Sequence, residues 1–232
     1  MKFLLLTGCD LDFQSLELAN ITEKNKLEYC QFHNSKARGY TYDFLSCLRV
    51  RNGIPGQWFK IEKLLQVLPH YDYVFWSDVD AIIYNYYISL SDIIYSDDTI
   101  KELNLQNPVN KIIKLDKFQQ SDIILICSPD TDNIRLNTGN FLIKNCSESI
   151  SLLKKIYEQT DLRGKFCEEQ SAFERVLFSS DSYKGKVKVL EKVILNNNDN
   201  SKLKDSFIFH NMGCDLQGKK QRLTEIEKIV YK

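Results

Sequence analysis

Two carboxylates one residue apart are the first feature that could do chemistry. Tyr73-Val74-Phe75-Trp76-Ser77-Asp78-Val79-Asp80-Ala81 carries an apolar, aromatic run into Asp78 and Asp80, and turns apolar again at Ile82-Ile83. In open α/β sheets ligands bind beyond the carboxyl ends of strands, so charge at the end of such a run lies where a ligand would. Two hard carboxylate oxygens there suit Mg²⁺ or Mn²⁺ holding a diphosphate. The pair also reads as an ordinary acidic turn, because Asp is common in turns. A metal that bridges a diphosphate wants a further protein ligand. Phe207-Ile208-Phe209-His210-Asn211-Met212-Gly213-Cys214 offers one in His210, one of three histidines in the chain. Neutral imidazole is a good ligand for Mn²⁺, although a lone histidine also serves as a hydrogen-bonded core or surface residue. His70, after Pro69 in a loop, is expected to be exposed.

Two further segments carry polar groups in unusual places. Leu136-Asn137-Thr138-Gly139-Asn140-Phe141 sets hydroxyl and amide groups around a glycine inside a strand pattern. A strand glycine points to close approach of another backbone or a ligand, and the amides and hydroxyl suit sugar hydroxyls. A polar hairpin bend has the same composition. Glu168-Glu169-Gln170-Ser171-Ala172 opens a helix with carboxylates in its first turn, where the macrodipole favours them with or without a function.

The elements that must position these groups alternate. Lys2–Thr7 reads as a buried first strand ended by Gly8, and Ile21 to about Phe32 as a helix. Tyr40–Cys47 is a second strand, and Arg51-Asn52-Gly53-Ile54-Pro55-Gly56 a loop. Ile61, Leu64, Leu65 and Leu68 recur at helical spacing between Trp58 and Leu68, closed by Pro69. Tyr71–Trp76 is a third strand. Strand–helix–strand–helix–strand implies parallel pairing and an α/β fold. Later strands are expected at Asp122–Cys127, Leu136–Ile143, Val187–Leu190 and Phe207–His210. Helices are expected from Ser147, with Ser149 as a second capping group, to about Gln159, over Glu168–Phe178 and over Leu223–Tyr231. Asn196-Asn197-Asn198-Asp199-Asn200 reads as a surface loop.

Composition narrows the function classes. The chain has 232 residues, 43% hydrophobic and 27% charged, which suits one folded domain. Lys plus Arg and Asp plus Glu are 31 each, so a partner bound through bulk positive charge, nucleic acid above all, is not expected. Only 4 Pro and 9 Gly rule out linker-like or low-complexity architecture. The apolar run Phe3–Leu6 is shorter than the ~7–15 residues of a signal peptide or the ~20 of a membrane span. The seven cysteines are scattered without a paired spacing, which suggests reduced structural thiols and a cytoplasmic setting rather than a zinc site or disulfide framework.

Taken in order, the segments resemble the signature series of glycosyltransferase family 34, the galactosyl-, mannosyl- and xylosyltransferases of the GT-A fold. The resemblance runs through Asn25–Cys30, Gly39-Tyr40, Trp58–Ile61, Phe75–Asn85, Leu136–Cys146, Glu168–Ala172 and Phe209–Cys214. It implies a Rossmann-like domain over residues 1–232, with a central mixed, mostly parallel sheet flanked by helices. Residues 1–85 would form the nucleotide-binding half and 86–232 the half for donor sugar and acceptor. It further implies Asp78, Asp80 and His210 as ligands of Mn²⁺ or Mg²⁺, with Lys60 beside the donor and Asn137, Thr138, Gly139 and Asn140 lining the sugar pocket. Thr7, Gly8, Cys9, Val79 and Gly213 join the donor-binding set, and Glu169 and Gln170 lie near the anomeric carbon.

Departures from the family pattern matter. Its helix usually ends His-Gly-Tyr, whereas His33 is separated here from Gly39-Tyr40, so no ligand role is carried onto His33. Its basic residue after Gly-Cys is Asp215 here, which leaves Lys219 or Lys220 to neutralise a phosphate. Its eukaryotic members carry an N-terminal anchor and stem that this sequence does not show.

The implied reaction moves a hexose or pentose from a nucleoside-diphosphate sugar to a glycan or glycoprotein, with retention. The acceptor would attack on the face the diphosphate leaves, or Glu169 would act as a nucleophile in a double displacement. Two other readings stay open. A nucleotidyltransferase acting on sugar phosphates also uses paired aspartates and Mg²⁺, but a Gly-rich phosphate loop near the first strand would be expected, and Gly8 stands alone. A carbohydrate-binding protein on a decayed transferase fold is the other, against which stands the presence of both aspartates and His210.

Overall fold

The structure, a computed structural model, describes residues 1–10, 16–36, 39–47, 50–51, 54–95, 122–130, 135–211 and 216–230. The chain runs through β1 (Phe3–Asp10), α1 (Leu16–Asn34), β2 (Tyr40–Cys47), β3 (Val50–Arg51), β4 (Ile54–Pro55), α2 (Trp58–Val67), β5 (Tyr73–Ser77), β6 (Ala81–Ile83) and α3 (Leu90–Tyr95). It continues through β7 (Leu125–Pro129), β8 (Leu136–Lys144), α4 (Ser147–Tyr157), α5 (Glu168–Ser179), β9 (Val187–Val189), α6 (Lys192–Leu195), β10 (Ile208–His210) and α7 (Leu216–Val230).

Period-two burial explains why the central strands read as continuous apolar runs. Leu4 and Leu6 of β1, Val74 and Trp76 of β5, and Phe141 and Ile143 of β8 pack on one face with residues of α2, α4 and α5. Phe3, Leu5, Phe75 and Leu142, their alternates, pack on the other face with Tyr29 of α1, Leu90 and Ile93 of α3, and Phe207. A sheet covered on both sides needs apolar residues at every position. Its six strands follow the order β2-β1-β5-β8-β7-β9. β1 pairs parallel with β2 and β5, and β7 parallel with β9, while β8 runs antiparallel to both β5 and β7. This is the expected mixed, mostly parallel sheet between helical layers. No helix among the described residues is long and apolar enough to cross a membrane.

Where β5 ends, the chain changes sheets. β6 pairs antiparallel with β10, Ala81 opposite His210, and this ribbon packs against Leu223 and Ile226 of α7. Asp78 and Asp80 lie on the step between the two sheets.

Several sequence expectations need correction. β1 continues through Gly8 to Asp10 because Gly8 takes its place in the parallel ladder opposite Leu45. The expected loop at Arg51–Gly56 holds the short strands β3 and β4, with Val50 opposite Pro55, since Pro is tolerated at a sheet edge. α1 and α7 start earlier than their apolar periodicity indicated, α2 stops at Val67, and Pro69 sits inside a 3₁₀ turn, Leu68–His70. β5 and β7 begin later than expected, at Tyr73 and Leu125, and α4 carries no side-chain cap: extended Cys146 precedes it. Tyr231 lies outside the described residues.

The largest correction concerns the asparagine run. Asn196 and Asn197 are buried, not surface residues, because each amide satisfies main-chain or buried polar groups. Asn196 donates to the Pro129 carbonyl at 2.8 Å, and Asn197 donates to Ser206 Oγ at 2.6 Å.

Candidate active site

The sheet switch brings His210 to the two aspartates. Asp78, Asp80 and His210 each offer one ligand atom, and these atoms all lie within 4.8 Å of one another. The pairing of Ala81 with His210 sets this distance, helped by the Asn211 amide donating to the Asp80 carbonyl at 3.0 Å. Asp80 is the inner carboxylate, with 9% of its side chain exposed against 33% for Asp78, so Asp78 faces the open side. His210 Nε2 lies 3.2 Å from Asp80 Oδ1, and Nδ1 lies 2.7 Å from Asn196 Oδ1. Nε2–H faces Asp80 as a donor, and Nδ1 held by Asn196 fixes the ring so that an ion taking the place of the Nε2 proton would meet its lone pair.

Burial works against a charged Asp80, but His210 and Lys219 outweigh it and hold the carboxyl well below the usual carboxylate range. Lys219 Nζ reaches Asp80 Oδ2 at 2.5 Å. Asp78 Oδ1 accepts from the Trp76 indole at 2.6 Å, with Lys60 Nζ at 3.5 Å.

Beneath the imidazole lies Gly139. A Cβ there would stand 2.3 Å from His210 Cε1 and 2.9 Å from Asp78 Oδ2, so only glycine leaves space for this arrangement. Its carbonyl accepts from the Asp78 amide at 2.7 Å. The close approach read from a glycine inside a strand pattern is therefore the approach of two site side chains.

The helix α5 begins at the same place. Cys167 precedes it with a left-handed φ of 49°, and Glu168, Glu169 and Gln170 are all buried. Glu168 accepts from the Trp58 indole at 2.9 Å. Glu169 Oε1 accepts from Lys60 Nζ at 2.7 Å and from Thr138 Oγ1 at 2.9 Å. Burial pushes the Glu169 carboxyl upward, but Lys60 and Thr138 prevail and keep its pKa low. Burial likewise opposes the charge on Lys60, and Asp78 and Glu169 restore it, raising its pKa. Gln170 Nε2 donates to Asp130 Oδ2 at 3.0 Å, which turns its carbonyl oxygen toward the Thr138 amide, 3.4 Å away. The EEQ turn is thus joined to Asn137–Asn140 and, through Lys60, to Asp78.

The remaining expected residues are placed as follows. Thr7 is fully buried; its hydroxyl donates to the Ser77 carbonyl and accepts from Lys26 Nζ. Gly8 and Cys9 are half-buried at the end of β1, and Val79 is buried in the aspartate turn. Asn137 Oδ1 accepts from the Gly139 amide at 2.9 Å. Asn140 Oδ1 accepts from Ser77 Oγ at 2.8 Å, while its Nδ2 is buried with no protein partner among the described residues. His33 is buried and stacked on Tyr40, and His70 is exposed. Gly213 and Asp215 lie outside the described residues.

Residue-by-residue reading missed Lys26, Asn196 and Asp130. Lys26 Nζ lies beneath the aspartate turn, donating to the Asp78 carbonyl at 2.7 Å, and burial pulls its pKa down to about 7 against the pull of Asp78 and Asp80. Its only signal was its place in Asn25–Cys30. Asn196 had none, since an asparagine run reads as a loop.

The donor set fits a divalent ion. Two carboxylates and an imidazole converge over a glycine that keeps the space clear, and the inner carboxylate stays ionised in spite of burial.

A probable xyloglucan 6-xylosyltransferase 5 of Arabidopsis thaliana is 26% identical over 165 residues, 66% of this chain and 30% of that protein. A probable alpha-1,2-galactosyltransferase gmh1 of Schizosaccharomyces pombe is 28% identical over 153 residues, 60% of this chain and 44% of that protein. The chain thus spans less than half the length of these curated relatives. Among solved structures, a glycosyltransferase involved in the glycosylation of the major capsid of PBCV-1 superposes with a TM-score of 0.67 at 14% identity, covering 97% of this chain and 100% of that one. The fold is that of the GT-A glycosyltransferases. The profile of the galactosyl transferase GMA12/MNN10 family matches residues 2–221, and the chain belongs to that family.

Proposed function

We propose that this chain transfers a hexosyl or pentosyl group from a nucleoside-diphosphate sugar to a glycan or glycoprotein acceptor, with retention, and that Asp78, Asp80 and His210 hold Mn²⁺ or Mg²⁺. The observation that carries the reading is the convergence of these three residues over Gly139, beside the buried Glu169–Gln170 turn. Xylosyl- and galactosyltransferases among its relatives favour a pentose or hexose donor. We assign residues 1–85, which carry both aspartates and Lys60, to the nucleotide side. Residues 86–232, which carry Asn137–Asn140, Glu169, Gln170 and His210, take the donor sugar and acceptor.

When bound, the divalent ion supplies positive charge against the charge that develops on the departing diphosphate. The chain's own residues supply the rest. Gly8, Cys9 and Val79 complete the donor site with main-chain groups, and Thr7 holds the end of β1 against β5. Asn137, Thr138 and Asn140 orient the donor sugar through its hydroxyls. Glu169, kept ionised by Lys60 and Thr138, faces the positive charge that builds at the anomeric carbon. Its Oε1 already accepts two hydrogen bonds, which weakens it as a nucleophile and favours acceptor attack on the face the diphosphate leaves. Gln170, fixed by Asp130, offers its carbonyl oxygen to the same carbon.

Release of nucleoside diphosphate from a panel of nucleotide sugars, measured with Mn²⁺ and again with EDTA, tests the reading. Metal-dependent release is expected; none from any donor overturns it.

The EEQ turn yields a sharper expectation. A dipole that strengthens against the cation only in the transition state affects kcat more than KM. Gln170→Ala is therefore expected to lower kcat by about 10–100-fold with donor KM changed less than about threefold. Mass spectrometry of wild type and of Glu169→Gln should find no glycosyl-enzyme. A near-normal kcat in both variants would leave the turn as a helix start and nothing more.

A further inference from the structure

We propose that Trp76 is a positioning residue that selects the ion. Its indole holds one oxygen of Asp78, so that Asp78 offers an ion Oδ2 alone, which favours Mn²⁺ or Mg²⁺ over Ca²⁺. The proposal rests on the metal reading above.

The strand itself brings the two groups together. Side chains two residues apart on an extended chain share a face, so an indole near the end of β5 stands beside the carboxylate that follows. Trp76 is buried opposite Phe141 of β8, and its Nε1 donates to Asp78 Oδ1 at 2.6 Å. Lys60 Nζ lies 3.5 Å from the same oxygen. Oδ2 is on the imidazole side, because a Cβ on Gly139 would meet both this atom and the His210 ring. One oxygen is tied, and the other is turned to the candidate metal ligands.

The main chain cannot set this aim by itself, but it leaves little else to set. The Asp78 amide donates to the Gly139 carbonyl at 2.7 Å, and the Asp78 carbonyl accepts from Lys26 at 2.7 Å. With both peptide groups held, only the side-chain torsions of Asp78 remain, and the indole hydrogen bond fixes them. Lys60 is committed elsewhere, to Glu169 at 2.7 Å and to the Thr138 carbonyl at 2.9 Å.

The number of oxygens a carboxylate offers separates the ions. Ca²⁺ takes about six to eight oxygens in flexible geometry and accepts both from one carboxylate. Mg²⁺ demands near-ideal octahedral geometry, which Mn²⁺ also adopts, and a carboxylate held to one oxygen suits it. Freeing Oδ1 should therefore weaken Mn²⁺ binding without an equal loss for Ca²⁺. General damage to the fold would weaken both.

The other tryptophan of the chain supplies the comparison. Trp58 is as deeply buried, but its indole donates to Glu168 at 2.9 Å rather than to Asp78. Free Mn²⁺ is followed by its EPR signal as MnCl₂ is titrated into metal-stripped wild type, Trp76→Phe and Trp58→Phe. CaCl₂ is then added as competitor. Losing an outer partner of a ligand should cost Trp76→Phe about 10–100-fold in Mn²⁺ affinity. The ratio of Ca²⁺ to Mn²⁺ needed for half displacement should fall by at least about tenfold, because Ca²⁺ can take the freed oxygen. In Trp58→Phe that ratio should stay at the wild-type value. Should Trp76→Phe not fold, replacement of Trp76 by benzothienylalanine, which keeps the ring shape with sulfur in place of the N–H, is read in the same way.

An unchanged ratio on loss of the indole N–H, or an equal fall in Trp58→Phe, overturns the role of Trp76 alone. Wild type that binds no Mn²⁺ overturns the metal reading and this inference with it.

Discussion

Asp80→Asn is expected to reduce metal-dependent turnover by on the order of 10³-fold while the protein still folds, because the change keeps the side chain's shape and removes its charge. Asp80 is the inner carboxylate, bonded to His210 and Lys219, whereas Asp78 faces the open side. An amide at position 80 leaves Lys219 without its counter-charge. The stability cost in EDTA should be about 1–3 kcal/mol, less than for a fully enclosed pair, because the Lys219 side chain reaches water. The pH dependence has a definite sign. A carboxyl held below its usual range contributes stability that is fully present above an ordinary Asp pKa of about 4 and is lost as pH falls through its folded value. The difference in melting temperature between wild type and Asp80→Asn should therefore hold from neutral pH to about pH 4 and narrow only below it. Wild-type turnover in the variant would remove Asp80 from the site.

The second large effect comes from a residue with no side chain. Gly139→Ala places a methyl group 2.3 Å from His210 Cε1, with Asp78 Oδ2 and Asn137 Oδ1 also within 3.0 Å. The imidazole is held by Asn196 and cannot yield without giving up its hydrogen bond. Overpacking of this kind costs about 1–3 kcal/mol of stability. Displacing a metal-site histidine should lower Mn²⁺ affinity and turnover by at least about 10–100-fold. The double variant Gly139→Ala/His210→Ala separates steric conflict from general damage. With the ring gone the closest conflict is removed and only the movable ends of Asp78 and Asn137 must shift, so the two stability costs should combine to less than their sum. Simple additivity would mean that Gly139 does not make room for His210.

How much of this was legible varies by residue, and the reason is physical. Short-range pattern carried the central strands: Phe3–Leu6 and Val74–Trp76 are apolar at every position because both sheet faces are covered. The same alternation placed Asp78 and Asp80 at a strand end, and a glycine inside the Leu136–Lys144 strand pointed to something close by. The order of motifs along the chain carried the family and the GT-A fold.

Other things depended on contacts between residues far apart in sequence, which no local pattern encodes. The pairing of Ala81 with His210 spans more than a hundred residues and decides that a histidine, not water, stands beside Asp80. Asn196 looked like surface because its composition is that of a loop, yet its amide orients the His210 ring from inside. Lys26, Lys60 and Lys219 look alike as letters. Tertiary contacts separate a lysine beneath the aspartate turn from one joined to Glu169 and from one on α7 that reaches Asp80. The sequence by itself determined which groups were available and which strand would end in charge. Tertiary structure decided which of them share a low-dielectric space, and there proximity and burial, more than residue type, set protonation, partners and role.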